Sequence, residues 1–200
     1  MATITATKTG NWSDTTVWDL ARAPLDGDTV LAVTYTITFD VDVNQANTTL
    51  NATSGNFRYS SAGTRNVTAN ANVGNHSTTG LIQNTSTGTL NFTGAITGGN
   101  GSYAYGANNA SSGTITITTC TGGNGSYACG AHNASNGTIT ITTCTGGSGG
   151  AAYGASELAR PHRTALAPAP AGDTTRSMRQ EFRLRTSPDR PLPCRCGRRC

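Results

Sequence analysis

The sequence predicts an all-β chain, a right-handed parallel β-helix (solenoid) of 24- to 25-residue coils, and three observations carry that prediction. The stretch Gly113-Thr114-Ile115-Thr116-Ile117-Thr118-Thr119-Cys120-Thr121-Gly122-Gly123 recurs as Gly137 to Gly147, a spacing of 24. Inside it, Thr-Ile-Thr-Ile-Thr alternates polar and apolar residues, which is the period-two pattern of a half-buried strand made of β-branched side chains. No stretch of the chain carries an apolar stripe at the 3.6-residue spacing of a helix.

The remaining units follow the same plan. Gly63-Thr64-Arg65-Asn66-Val67-Thr68 aligns with Gly88-Thr89-Leu90-Asn91-Phe92-Thr93 at a spacing of 25, and Gly74-Asn75-His76-Ser77 with Gly99-Asn100-Gly101-Ser102. Asn100 to Ala107 recurs as Asn124 to Ala131, with Cys129 in place of Tyr105. Gly-Gly-Asn-Gly reads as a turn in which Gly and Asn supply positive φ. Ser-Tyr-Ala-Tyr-Gly-Ala reads as a second short extended stretch, and Asn-Asn-Ala-Ser-Ser-Gly as the turn that brings the chain back. An antiparallel meander is the competing topology. Propeller blades need about 40 residues, so the shorter period favours coils. Coils stacked about 4.8 Å apart would set Ile115 over Ile139, Ile117 over Ile141 and Asn133 near Asn109. The interior would be apolar, with hydrogen-bonded Asn and Thr rows outside.

Composition divides the chain into three parts. Charged residues make up 12% of the 200, and every Asp and Glu lies before residue 43 or after residue 156. Between Asn44 and Ser156 the only charged side chains are Arg58 and Arg65. The net charge of +4 therefore belongs to the C-terminal part, which holds ten of the fourteen basic residues and six of the seven prolines. We expect an N-terminal β capping module over 1–43, solenoid repeats over 44–156, and an Arg/Pro-rich disordered tail over 157–200. A chain this poor in apolar residues would not order alone, but stacked copies complete a core that no single copy can bury. The third repeat is interrupted where Ser156-Glu157-Leu158 replaces the expected Asn-Ala-Ser-Asn-Gly, so the tail is read as an out-of-frame or recombined end. The other reading is a basic arm for nucleic acid, which Asp173, Glu181 and Asp189 argue against.

The N-terminal segment carries Gly10-Asn11-Trp12-Ser13, then Thr16-Val17-Trp18, then Ala23-Pro24-Leu25-Asp26-Gly27-Asp28-Thr29-Val30. It resembles the Gly-Asn-Trp … Trp … Pro-x-x-Gly-Asp-x-Val opening of G8-like domains and of β-helical phage-virion and bacterial surface proteins. The likeness covers about residues 9–43. It departs at Thr34-Tyr35-Thr36, where those families usually have a glycine. The resemblance implies a module leading into a solenoid. Trp12 and Trp18 would then cover the open end of the first coil, which otherwise exposes a sheet edge. Carbohydrate stacking is the alternative role for these two rings.

Candidate chemistry is sparse. Glycoside hydrolysis needs paired carboxylates and calcium-assisted chemistry needs acidic oxygens, and residues 44–156 contain neither. Asp14, Asp19, Asp26, Asp28, Asp40 and Asp42 all lie in the N-terminal segment. Asp26 and Asp28 flank Gly27 and suit a turn, whereas Asp40 and Asp42 would share a strand face able to hold a cation. His76 and His132 are read as solvated turn residues with no acid beside them. The Gly-rich turns lack the helix and Lys of a phosphate loop. Cys120 and Cys144 occupy one position in adjacent coils, as a disulfide or as a ladder of buried thiols. Cys194, Cys196 and Cys200 match a zinc site poorly. The Asn-x-Ser/Thr triplets at Asn66, Asn91, Asn100, Asn124 and Asn133 follow from the repeat itself.

No catalytic, cofactor-binding or metal-binding residue is therefore assigned. The expectation is a non-enzymatic structural or surface-presenting protein, virion- or tail-associated, or extracellular at a cell surface. The alternatives are a polysaccharide-active or carbohydrate-binding β-helix and a surface adhesin. Expected partners are copies of itself, other virion or surface proteins, or a glycan, with no nucleic acid and no membrane insertion. Residues 1–10 have no apolar signal-peptide core, and no apolar run approaches the ~18 residues of a membrane span.

Overall fold

The computed structural model describes residues 1–72, 80–100, 105–125, 129–146, 153–158 and 191–192. Consecutive strands alternate between two sheets. The first holds β1 (Thr3–Thr5), β3 (Thr29–Leu31), β5 (Val43–Asn51), β7 (Thr64–Asn72), β9 (Thr89–Thr97), β11 (Thr114–Thr121) and β13 (Thr138–Thr145), in that spatial order. The second holds β2 (Gly10–Asn11), β4 (Thr36–Thr38), β6 (Asn56–Tyr59), β8 (Ile82–Asn84), β10 (Tyr105–Asn109), β12 (Cys129–Asn133) and β14 (Tyr153–Leu158), with β15 (Pro191–Leu192) antiparallel at its edge. All other pairings between these strands are parallel. The chain is a parallel β-solenoid, and the meander is excluded.

Stacking places like on like. Ile115 pairs with Ile139 and Ile117 with Ile141, as the repeat predicts. One inward column runs Ile4, Val30, Leu50, Ala71, Ile96, Cys120, Cys144 through the whole first sheet. Ile37, Phe57, Ile82, Ala107 and Ala131 form its counterpart on the second. These residues belong to a single apolar core, against which the partly buried Cys144 packs. Removing an Ile or Phe side chain from water contributes about 1.5–3 kcal/mol, so each added rung supplies its own share. Thr114 and Thr116, half-exposed, pair outward with Thr138 and Thr140.

The structure differs from the sequence reading in three places. First, there is no break at residue 43, because β1, β3 and β2, β4 are rungs of the same two sheets. The corners there vary in length, and this hides the 24- and 25-residue period. Second, one Asn row lies inside. Tyr59, Asn84, Asn109 and Asn133 stack in register, and all three Asn are 0% exposed. Asn109 Nδ2 donates to the carbonyls of Gly113 (2.8 Å) and of Thr138 in the next rung (3.2 Å), and Asn84 does the same to Gly88 and Thr114. This inward use extends β10 through Asn108 and Asn109, where a turn was expected. Third, none of Gly98, Gly99, Gly122 or Gly123 is among the glycines with positive φ. At Gly123 glycine is needed for close approach: a Cβ there would lie 2.6 Å from the Gly98 carbonyl carbon and oxygen.

The N-terminal end is closed at the backbone. β1 bonds to β3 on one side, through Thr29 N to Ala2 O and Ala6 N to Leu31 O. On its other side, where the next strand would lie, the chain at 17–19 crosses over it. Thr7 N donates to Val17 O and Asp19 N to Thr5 O, while the Asp19 carboxylate accepts from Thr5 N. The edge is thereby denied to another strand. Trp12 and Trp18 seal the apolar end, each 3% exposed, with centroids 5.6 Å apart and Trp12 5.7 Å from Phe39. Neither indole presents a face to solvent, so carbohydrate stacking on these rings is ruled out.

Asp28 fastens this cap. Its carboxylate, 5% exposed, accepts from Arg22 Nη1 (2.7 Å), Leu25 N (3.0 Å) and Ala2 N (3.0 Å). The Arg22 hydrogen bond, against the opposing effect of burial, lowers its pKa to about 2. A pKa depressed in the folded state means stability that is present above the ordinary carboxylate value and is lost as pH falls through the folded one. Arg22 is 33% exposed, so the contribution is roughly 1–2 kcal/mol after screening. Asp28→Asn should lower the urea midpoint at pH 6. The gap to the natural chain should shrink as pH falls from 4 towards 2.

Candidate functional site

The described acidic side chains make structural bonds. Asp14 accepts from Thr16 N and Oγ1 and caps the short 3-10 turn at Thr15–Val17. Asp26 accepts from Asn47 N and Nδ2, both at 2.8 Å. Asp40 and Asp42 do not share a strand face; they lie in the corner between β4 and β5 and serve different partners. Asp40 accepts from Ser13 N and Oγ, and Asp42 from Arg65 (3.0 Å) and Asn66 N (3.0 Å). Hydrogen bonds from Asn66 and Arg65 hold the Asp42 carboxyl below its ordinary pKa. The Arg65 guanidinium lies 6.0 Å from the Tyr59 ring centroid. Among the described residues no three His, Cys, Asp or Glu side chains gather as a metal site.

The most varied surface is the outward row of the second sheet. Register places Thr38, Arg58, Gln83, Asn108 and His132 one above another, with Gln83 the buried member of the row. His132 is half-buried in strand β12, not solvated in a turn. Its ring stacks on Tyr105 at 4.2 Å and 7°, and Nδ1 lies 3.2 Å from Asn108 Oδ1. Desolvation lowers the imidazole pKa to about 4. It is therefore neutral at pH 7, when Nδ1–H can donate to the amide oxygen, and it is poorly suited to proton transfer there. Only the 24-residue spacing from Asn108 marks this position in the sequence.

The imidazole adds a pH dependence of its own. Its folded value lies below 6.5, so the unfolded chain binds the proton first and stability falls as pH drops from 6.5 towards 4. At the half-exposed rim we expect roughly 1–2 kcal/mol. Denaturant midpoints across this range should fall for the natural chain and stay flatter for His132→Gln.

The thiols complete the inventory. Cys120 is buried beneath the partly exposed Cys144, with Sγ atoms 3.9 Å apart, and both are free thiols. His76, Cys194, Cys196 and Cys200 lie outside the described residues. No described helix is long and apolar enough to cross a membrane. No family model, curated protein or solved structure matches the chain.

Proposed function

We propose that the protein is a non-enzymatic structural element, a neutral β-solenoid rod that spaces or presents other modules, of the virion- or tail-associated kind. The observation that carries this reading is the rung-on-rung register, in which described carboxylates and buried amides fasten one coil to the next. A rod so built resists bending because each rung is hydrogen-bonded along its length to both neighbours. The virion or surface assignment rests on the resemblance of residues 9–43. Immunogold labelling of particles and cells with an antibody to the chain tests it. Label on assembled particles or at the cell surface supports the reading, and label confined to free soluble protein sinks it.

A second reading, a carbohydrate-binding coil, has one observation in its favour. The stacked Tyr105–His132 pair sits beside the Asn108 amide on the outer face of the second sheet, and neutral polar groups next to aromatic rings suit sugar hydroxyls. A glycan array on the natural chain and His132→Ala separates the readings. A saccharide lost on substitution selects the second.

A further inference from the structure

We propose that Cys120 and Cys144 are an oxidisable dithiol, a modification site at which a low-molecular-weight disulfide converts the end of the first sheet into a covalently stapled form. The two residues are direct partners across the parallel pair β11–β13. Paired Cα atoms in neighbouring strands lie about 4.8 Å apart, inside the range a disulfide accepts. The sulfurs are already 3.9 Å apart, and closing the bond needs side-chain rotation with a local approach of the two Cβ atoms from the strand spacing of about 4.8 Å to the roughly 3.5–4.5 Å of a disulfide.

Position sets the order of events. Cys120 is 0% exposed in the column above Ile96, whereas Cys144 is partly open on β13, the last strand of its sheet among the described residues. The Cys120 thiol donates towards Cys144, and this hydrogen bond holds the Cys144 thiol below its ordinary value. Cys144 loses its proton to solvent and attacks the small disulfide RSSR, forming the mixed disulfide Cys144–S–SR and releasing RS⁻. Cys120 then gives up its proton and attacks the Cys144 sulfur, expelling the second RS⁻. Both thiolates are protonated, so two protein thiols are oxidised to one disulfide and RSSR is reduced to two RSH. The bridge ties β13 to β11 at the end where a sheet frays first.

The test equilibrates the intact, reduced chain with excess oxidised glutathione, then alkylates and digests it with chymotrypsin. Cleavage after Tyr127 parts Cys120 from Cys144 unless they are bridged, and fragmentation distinguishes that bridge from one to Cys129. We expect a Cys120–Cys144 peptide and amide exchange over Thr138–Thr145 slowed about tenfold or more. Cys120→Ser should trap the glutathione adduct on Cys144, and Cys144→Ser should leave Cys120 unmodified. Absence of the bridged peptide, a dominant bridge to Cys129, or unchanged exchange over Thr138–Thr145 would overturn the proposal.

Discussion

Gly113→Ala is expected to destabilise the chain by about 3 kcal/mol, at the upper end of what overpacking costs. The added methyl would lie inside contact distance of the Gly88 and Ser86 carbonyl oxygens and 2.7 Å from Asn84 Nδ2. Two of those groups are backbone of the rung below and cannot swing away. The third is the amide that donates to Gly88 O and Thr114 O, so displacing it loses buried hydrogen bonds as well. Solenoid stability is close to a sum of rung terms and nearest-neighbour interfaces. The damage should therefore be local: the β11 and β13 amides lose exchange protection, while β1 to β7 keep theirs. Gly63→Ala is the control, because its nearest neighbour would be Tyr59 Oη at 3.9 Å and only the left-handed φ of 95° is strained. That variant should cost about 1 kcal/mol. If the two substitutions cost the same, space is not what requires glycine at 113.

The contrast between these glycines marks where the sequence stops being legible. Thr-Ile-Thr-Ile gave the strand, its inward face and its partner, because period-two alternation and exact repetition are local properties. Residues 3–51 belong to the same sheets, yet Thr3 pairs with Thr29 and Thr29 with Thr49, one step longer and the next shorter than the repeat. No fixed period survives that, and the segment reads as a separate module. The inward Asn109 and the stacked His132 were missed for another reason. Both follow a Gly-Ala step that looks like the approach to a turn, and only partners on a neighbouring rung, the Thr138 carbonyl for Asn109 and the Asn108 amide and Tyr105 ring for His132, reveal their roles. Glycine 113 shows the same limit, since a residue required by contact with another rung carries no signal in its own neighbourhood. The predicted interior columns were right because apolar burial is insensitive to such detail.

Asn109→Asp should cost about 3–5 kcal/mol at pH 7, because it sets an unpaired carboxylate against two buried carbonyls. Asn109 Oδ1 has no hydrogen-bond partner within the protein, so donation through Nδ2 is the contribution this side chain makes. An ionised carboxylate has no hydrogen to donate. Burial and the two carbonyls favour its neutral form, which raises the folded pKa above the unfolded value of about 4. The folded variant then binds the extra proton, and its stability falls as pH rises from 4 to 7, the reverse of Asp28. Asn109→Leu removes the same donor without a charge and should cost about 1–3 kcal/mol at every pH, because the Thr138 carbonyl loses its side-chain donor while the Gly113 carbonyl keeps the Thr138 N–H. If the donor rule is correct, urea midpoints will show Asn109→Asp recovering at pH 4.5 while Asn109→Leu stays flat. Equal, pH-independent losses in the two variants would mean that the ladder is held by packing rather than by the amide.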